Sequence, residues 1–288
     1  MSVSRLARDL ATSPGVDAQP ETMKRVDCVA RVARVVRAAR VASGAVMAIT
    51  LIAPAAQGQT GGGAAEADAA EYKFTVGRYH LNNGAAAGDA TDINLRRRQG
   101  SHTLWLGVFR DGDQGRQWRV GWDDQWPLAA DPSWPVQLLP SLQLAGGGFV
   151  GGSLAVQAGA PFYVQLGLAR TNLKPYANIN FDPNDAINLA LGWQGEGGRQ
   201  LSTSVIADDR LGTGQQHHHL TLRWPLPGAV RLSADLLHKQ GQGDGGYVRA
   251  WGWTLGLDGA QWFARLARDP KQNFSAYDAW RLSAGVRF

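Results

Sequence analysis

From Glu71 to Phe288 the chain is a succession of short segments in which apolar and polar residues alternate, and no stretch carries a 3.6-residue period long enough for a helix. In 217–225, His217, His219, Thr221 and Arg223 alternate with His218, Leu220, Leu222 and Trp224. In 229–240, Arg231, Ser233 and Asp235 alternate with Val230, Leu232, Ala234 and Leu236, and in 116–124, Gln117, Arg119 and Gly121 alternate with Trp118, Val120 and Trp122. Such alternation places one set on each face of a strand. Candidate strands run over 71–80, 91–98, 102–110, 116–124, 135–145, 149–158, 161–170, 185–194, 199–208, 217–225, 229–240, 247–257, 260–269 and 274–288. Gly, Asp, Asn and Pro separate them, as in "DGDQG", "GEGG", "PLPG" and "DG", which are hairpin connections.

The connections are uneven. One end of the expected sheet carries 81–90, 111–115, 145–148, 171–184, 209–216, 241–246 and 270–273, whereas the end holding both termini of the strand region has short turns, with "DQWPLAADPSW" near 124–134 as the exception. Short turns beside the termini and longer loops opposite are the pattern of transmembrane barrels. The fold class that follows is all-β, an antiparallel up-and-down transmembrane β-barrel of 12 to 14 strands over 71–288. The range is open because Pro140 interrupts 135–145 and "GGGFVGG" straddles the next hairpin. Tryptophans at 118, 122, 126, 193, 224, 251, 253, 262 and 280 fall near strand ends or on apolar faces, which suits interfacial belts.

Residues 1–58 differ in kind. Lys24, Arg25, Arg31, Arg34, Arg37 and Arg40 precede an apolar run from about Ala42 to Ala53, followed by "AAQG". This order is a secretory signal with a small-residue cleavage site, too short to span a bilayer. Met23 is an alternative start, and 59–70 reads as a flexible leader. The signal holds eight of the 29 Lys and Arg and four of the 24 acidic residues, so the barrel region is nearly neutral and the basic pI does not argue for nucleic acid as a partner. The single cysteine, Cys28, leaves with the signal, which excludes disulfides and thiolate chemistry from the mature chain.

The chain ends "WRLSAGVRF", with Trp280, Leu282, Val286 and Phe288 at alternate positions. This resembles the C-terminal β-signal of Gram-negative outer-membrane proteins. The resemblance implies recognition by the barrel assembly machinery, residence in the outer membrane, and contact with its lipid and lipopolysaccharide. In size the barrel region is similar to the twelve-stranded oligogalacturonate and sialic-acid porins, whose lumens are lined by basic residues.

On the face opposite the apolar one lie Arg96, Arg119, Arg223, Arg231, Arg265, Arg281 and Arg287, with Asp92, Asp123 and Asp235 against them. Guanidinium groups keep their charge and suit carboxylates and phosphates, so an open lumen lined this way favours small anionic solutes. In a narrow barrel the same arginines pair with the aspartates and close it. A third reading rests on "QQHHHLTLRW": His217 and His219 near the rim, with Asp208 as an orienting partner and Ser202, Ser204 or Ser275 as a nucleophile, would make a lipid-modifying acyl hydrolase or deacylase. The motif of the outer-membrane phospholipases is not present, and a histidine triplet reads equally as a polar rim. No metal site and no cofactor is assigned, and oligomeric state is not legible.

Overall fold

The computed structural model describes residues 70–112, 115–129, 131, 134–176 and 185–288; the signal and leader expected over 1–70 lie almost wholly outside these. Fifteen strand segments follow one another: β1 (Glu71–Asn82), β2 (Ala87–Gln99), β3 (His102–Asp111), β4 (Gly115–Asp123), β5 (Trp126–Ala129), β6 (Val136–Ala145), β7 (Phe149–Ala158), β8 (Phe162–Thr171), β9 (Ala186–Gln194), β10 (Gln200–Asp208), β11 (Gln216–Leu226), β12 (Val230–Gly243), β13 (Gly246–Asp258), β14 (Trp262–Asp269) and β15 (Asp278–Arg287). Chain neighbours pair antiparallel except β4 and β5, which both pair with β6, and β1 pairs with β15 from Lys73↔Arg287 to Asn82↔Asp278, so the sheet closes on itself.

Fourteen staves make the wall, because β4 and β5 are two parts of one. β4 pairs with β6 from Arg119↔Ala145 to Asp123↔Ser141, and β5 takes over at Trp126↔Leu138. The break falls opposite Pro140. Its carbonyl accepts from Asp124 N at 3.1 Å, so its missing N–H faces the interruption and costs the ladder nothing it would otherwise use. The segment 124–134, expected as a long turn, is therefore partly strand, and the 135–145 and 149–158 segments are both staves. The count is the upper end of the expected range.

Alternation decides which side chains meet the lumen. In β8, Tyr163 and Gln165 are buried while Phe162, Leu166 and Leu168 are exposed on the outside; in β9, Ala186, Asn188 and Ala190 are buried and Ile187, Leu189 and Leu191 exposed. Several inward aromatics lie on a glycine directly across the strand pair. Tyr163 covers Gly192, Trp105 covers Gly121 and Phe263 covers Gly285, and in each case a Cβ on the glycine would overlap the ring. The glycine lets a large ring lie flat on the wall instead of filling the lumen.

Gly192→Ala is expected to lower the temperature at which the folded band converts to the unfolded one in semi-native electrophoresis. The same substitution in a Tyr163→Ala background should cost less, because the overlapping ring is gone; equal losses in both backgrounds would show that the ring does not depend on the glycine.

Candidate functional site

The outward face is apolar and wet-exposed along its whole girth, an arrangement that water does not tolerate and lipid requires. Leu104, Leu106, Leu142, Leu154, Leu166, Leu220, Leu255 and Leu282 are all between 49% and 61% exposed. Exposed aromatics ring both ends. Trp126, Trp134, Phe162, Trp224, Trp262 and Phe288 stand at the end holding Glu71 and Phe288, called here the terminal end, and Trp118, Tyr247, Trp251, Tyr277 and Trp280 stand toward the far end. Aromatic girdles flanking an apolar band mark the two membrane interfaces. The chain is a transmembrane β-barrel. Of the tryptophans expected in the belts, Trp122, Trp193 and Trp253 are only half-exposed, and Trp253 packs edge-on against Trp280 at 5.8 Å.

Inside, the charged residues separate into two groups. In the far half they are paired. Arg119 and Asp92, each 4% exposed, form an ion pair, and Arg119 also hydrogen-bonds Tyr176 from the connection between β8 and β9. Tyr176 folds into the lumen and stacks on Phe149 at 4.1 Å, in a cluster with Tyr79 and Phe109. Burial pushes its phenol up to about 12, with Arg119 opposing, so the hydroxyl remains protonated. Arg281 sits directly across from Tyr79, its guanidinium 5.9 Å from the ring centre. Lys239 and Asp269 form a second buried ion pair, and Lys239 Nζ donates to the Lys271 carbonyl at 3.1 Å. Phe274 from the β14–β15 connection folds over this pair and stacks on His217 at 5.3 Å.

In the terminal half the cations outnumber the acids. Arg287, Lys73 and Arg96 are direct cross-strand neighbours on β15, β1 and β2, three basic side chains in one row across the seam. Asp258 on β13 meets Arg287 at 2.6 Å and Arg265 at 3.8 Å and lies within electrostatic reach of Lys73, Arg223 and Arg231. Five basic side chains thus gather around one carboxylate. Glu71 approaches Arg287 Nε at 3.7 Å, and Asp123 is the acid nearest Arg96. Phe263 supplies a ring face to the same group: Lys73 Nζ is 4.2 Å from its centre, and Arg265 and Arg287 are each 5.4 Å away. A ring quadrupole attracts cations on its face and partly offsets their crowding.

Sequence reasoning placed Arg96, Arg223, Arg231, Arg265 and Arg287 on this face but passed over Lys73 and Asp258. The alternation of Lys73, Thr75 and Gly77 against Phe74 and Val76 would have found the lysine. Asp258 was hidden because "DG" reads as a turn, whereas the aspartate closes β13 with its side chain inward.

The histidine constellation differs from the expected one. Asp208 receives Leu211 N, Thr213 N and Arg210 N at 2.8, 2.7 and 3.1 Å and so holds its own connection, 209–215, in shape. The partner of His219 is Asp235, with Nδ1 3.1 Å from both carboxylate oxygens, and Asp235 also accepts from Thr221 Oγ1 at 2.9 Å. Ser204 is the cross-strand neighbour of His219, Ser202 lies opposite Thr221, and Ser275 belongs to the β14–β15 connection. Among the described residues no group of three or more His, Cys, Asp or Glu side chains is arranged to hold a metal ion.

The fold is similar to that of the outer-membrane protein Omp33 of Acinetobacter baumannii, at 10% sequence identity over 76% of this chain and 98% of that one, with a TM-score of 0.48. The KdgM porin aligns at 9% identity over 74% of this chain and 99% of its own, TM-score 0.40, and the NanC porin at 8% identity over 74% and 98%, TM-score 0.38. No protein-family model and no curated protein matches the sequence. These likenesses are of barrel architecture, and no residue role passes from them to this chain.

Because Asp92 is buried against Arg119, Arg119→Gln is expected to destabilise the folded barrel by about 3–5 kcal/mol, the usual consequence of stranding one member of a buried ion pair. Combining it with Asp92→Asn should recover much of the loss. Urea titrations of the barrel in lipid vesicles measure both, and an unchanged midpoint for the single variant would show that the pair contributes nothing.

Proposed function

We propose that the barrel is an outer-membrane channel for small anionic solutes, with selectivity set in the terminal half of the lumen. The observation that supports this is the sharing of one carboxylate, Asp258, among Lys73, Arg223, Arg231, Arg265 and Arg287. Like charges directly opposite one another on a sheet are destabilising. A wall that nevertheless keeps Arg287, Lys73 and Arg96 in one row is suited to a mobile anion that relieves their repulsion in passing. Low-dielectric walls focus the field of such a group along the axis, lowering the barrier for anions and raising it for cations. Arg119 and Arg281, paired or packed in the far half, hold the inward-folded Tyr176 and Tyr79 in place and take no part in selection.

The same reading includes export directed by residues 1–58, assembly through the strand ending Trp280, Leu282, Val286 and Phe288, and an orientation with the terminal end in the periplasm. The connections 209–215 and 270–277 then face the cell exterior, the first tied to the end of β8 by Arg170 to Asp209 at 2.7 and 2.9 Å and to Asp185 by Arg210 at 2.8 Å.

Planar-bilayer reversal potentials under a salt gradient test the selectivity. The parent is expected to prefer anions at 0.1 M salt, and Arg223→Gln with Arg231→Gln and Arg265→Gln to bring the permeability ratio toward unity without a large change in conductance. At 1 M salt parent and variant should converge, because the Debye length falls from about 10 Å to about 3 Å. A parent without conductance, or a selectivity untouched by the three substitutions, would remove this reading. Orientation is tested separately with single cysteines: Leu211→Cys, at a position 55% exposed in the 209–215 connection, should react with a membrane-impermeant maleimide on intact cells, and Glu196→Cys only after permeabilisation.

A further inference from the structure

On the outside of the wall, Arg110 and Arg116 face each other directly across β3 and β4. Both are exposed, and neither makes a hydrogen bond or ion pair with any described residue. The row continues across the wall through Thr91 to Arg78, which differs in being neutralised: its guanidinium meets Asp89 at 2.6 Å and Thr91 Oγ1 at 3.0 Å, and His80 Nδ1 lies 3.0 Å from the same aspartate. Arg110 and Arg116 therefore stand as a like-charge pair on a surface that otherwise faces lipid, where a charge is costly unless it meets a partner.

Beneath them the next outward residues are Val108 and Trp118, themselves a cross-strand pair. A groove runs between the two layers, lined by Thr91, Ile93, Val108, Gly115 and the two arginines, and Gly115 adds no side chain to fill it. The site is thus a pair of guanidinium forks at the head of an apolar trough. Guanidinium forks match phosphate oxygens with two parallel hydrogen bonds each, and the trough matches a hydrocarbon chain.

We propose that Arg110 and Arg116 bind the phosphate of a phosphorylated lipid of the outer leaflet, with an acyl chain lying in the groove over Ile93 and Val108. The arginines occupy the far end of the wall, next to Asp111 at the end of β3 and Gly115 at the start of β4, which is the height of lipid headgroups in the orientation proposed above, and the inference rests on that orientation. A free inorganic anion would satisfy the arginines but leave the trough unoccupied. A membrane lipid satisfies both, and this decides between them.

Native mass spectrometry of the folded full-length barrel in detergent micelles, titrated with bisphosphorylated lipid A and with the same lipid stripped of phosphate, tests the site. The parent is expected to bind the phosphorylated form at least tenfold more tightly, and that preference should weaken as salt rises. Arg110→Gln with Arg116→Gln should abolish the preference, while Arg249→Gln, an exposed arginine on β13, should leave it intact. The proposal is overturned if the double variant keeps the preference, or if inorganic phosphate at the lipid's concentration displaces it completely. Binding in micelles does not depend on which end faces outward, so a failure of the Leu211→Cys labelling would overturn the orientation and not the phosphate site.

Discussion

The hydrogen-bonded seam between β1 and β15 is the contact on which the rest of this molecule depends. In hydrocarbon an unpaired backbone N–H or C=O has no water to turn to, so a sheet can cross a bilayer only if its two edges satisfy each other. The ten consecutive cross-strand pairs from Lys73↔Arg287 to Asn82↔Asp278 do this, and Tyr72 and Phe288 extend the seam by exchanging backbone hydrogen bonds at 2.8 and 3.0 Å while their rings stack at 5.7 Å. Phe288 thus extends the closure and stands in the interfacial girdle at once.

Closure also dictates what the lumen must contain. Every second residue of fourteen staves points inward, so the interior is filled or lined by whatever the polar face of each strand carries. In the far half that face is neutralised internally, by Asp92 with Arg119 and by Asp269 with Lys239, and aromatic residues from two connections fold in over these pairs. In the terminal half the neutralisation is incomplete, and Asp258 serves several cations. The two halves differ in chemistry because the charges of the far half pair with one another beneath the inward connections, whereas the basic side chains of the terminal half outnumber the acids beside them.

The outer wall obeys the opposite rule. Its charges are confined to the margins, where Arg78 is compensated by Asp89 and Arg110 and Arg116 are not. Inside and outside, then, the same residue type has different meaning according to whether a carboxylate lies on a neighbouring strand at the same height.

Local alternation was enough to identify the staves. Each of the fourteen expected segments corresponds to one, and the apolar face of Trp280, Leu282, Val286 and Phe288 is on the lipid side, because a period of two residues is a property of the chain itself. Pro140 and the glycines around Val150 made one hairpin look weak, since a sequence does not reveal that the proline's missing donor faces the gap between β4 and β5. The same limit applies to the site. That Arg96, Arg119, Arg223, Arg231, Arg265, Arg281 and Arg287 point inward follows from alternation; that Arg119 is consumed by Asp92, that His219 meets Asp235 while Asp208 holds its own loop, and that Lys73 stands between Arg287 and Arg96 does not. Those pairings join residues far apart in the chain, and they are set by the register of neighbouring strands and by the closing of the barrel, which brings the first strand beside the last.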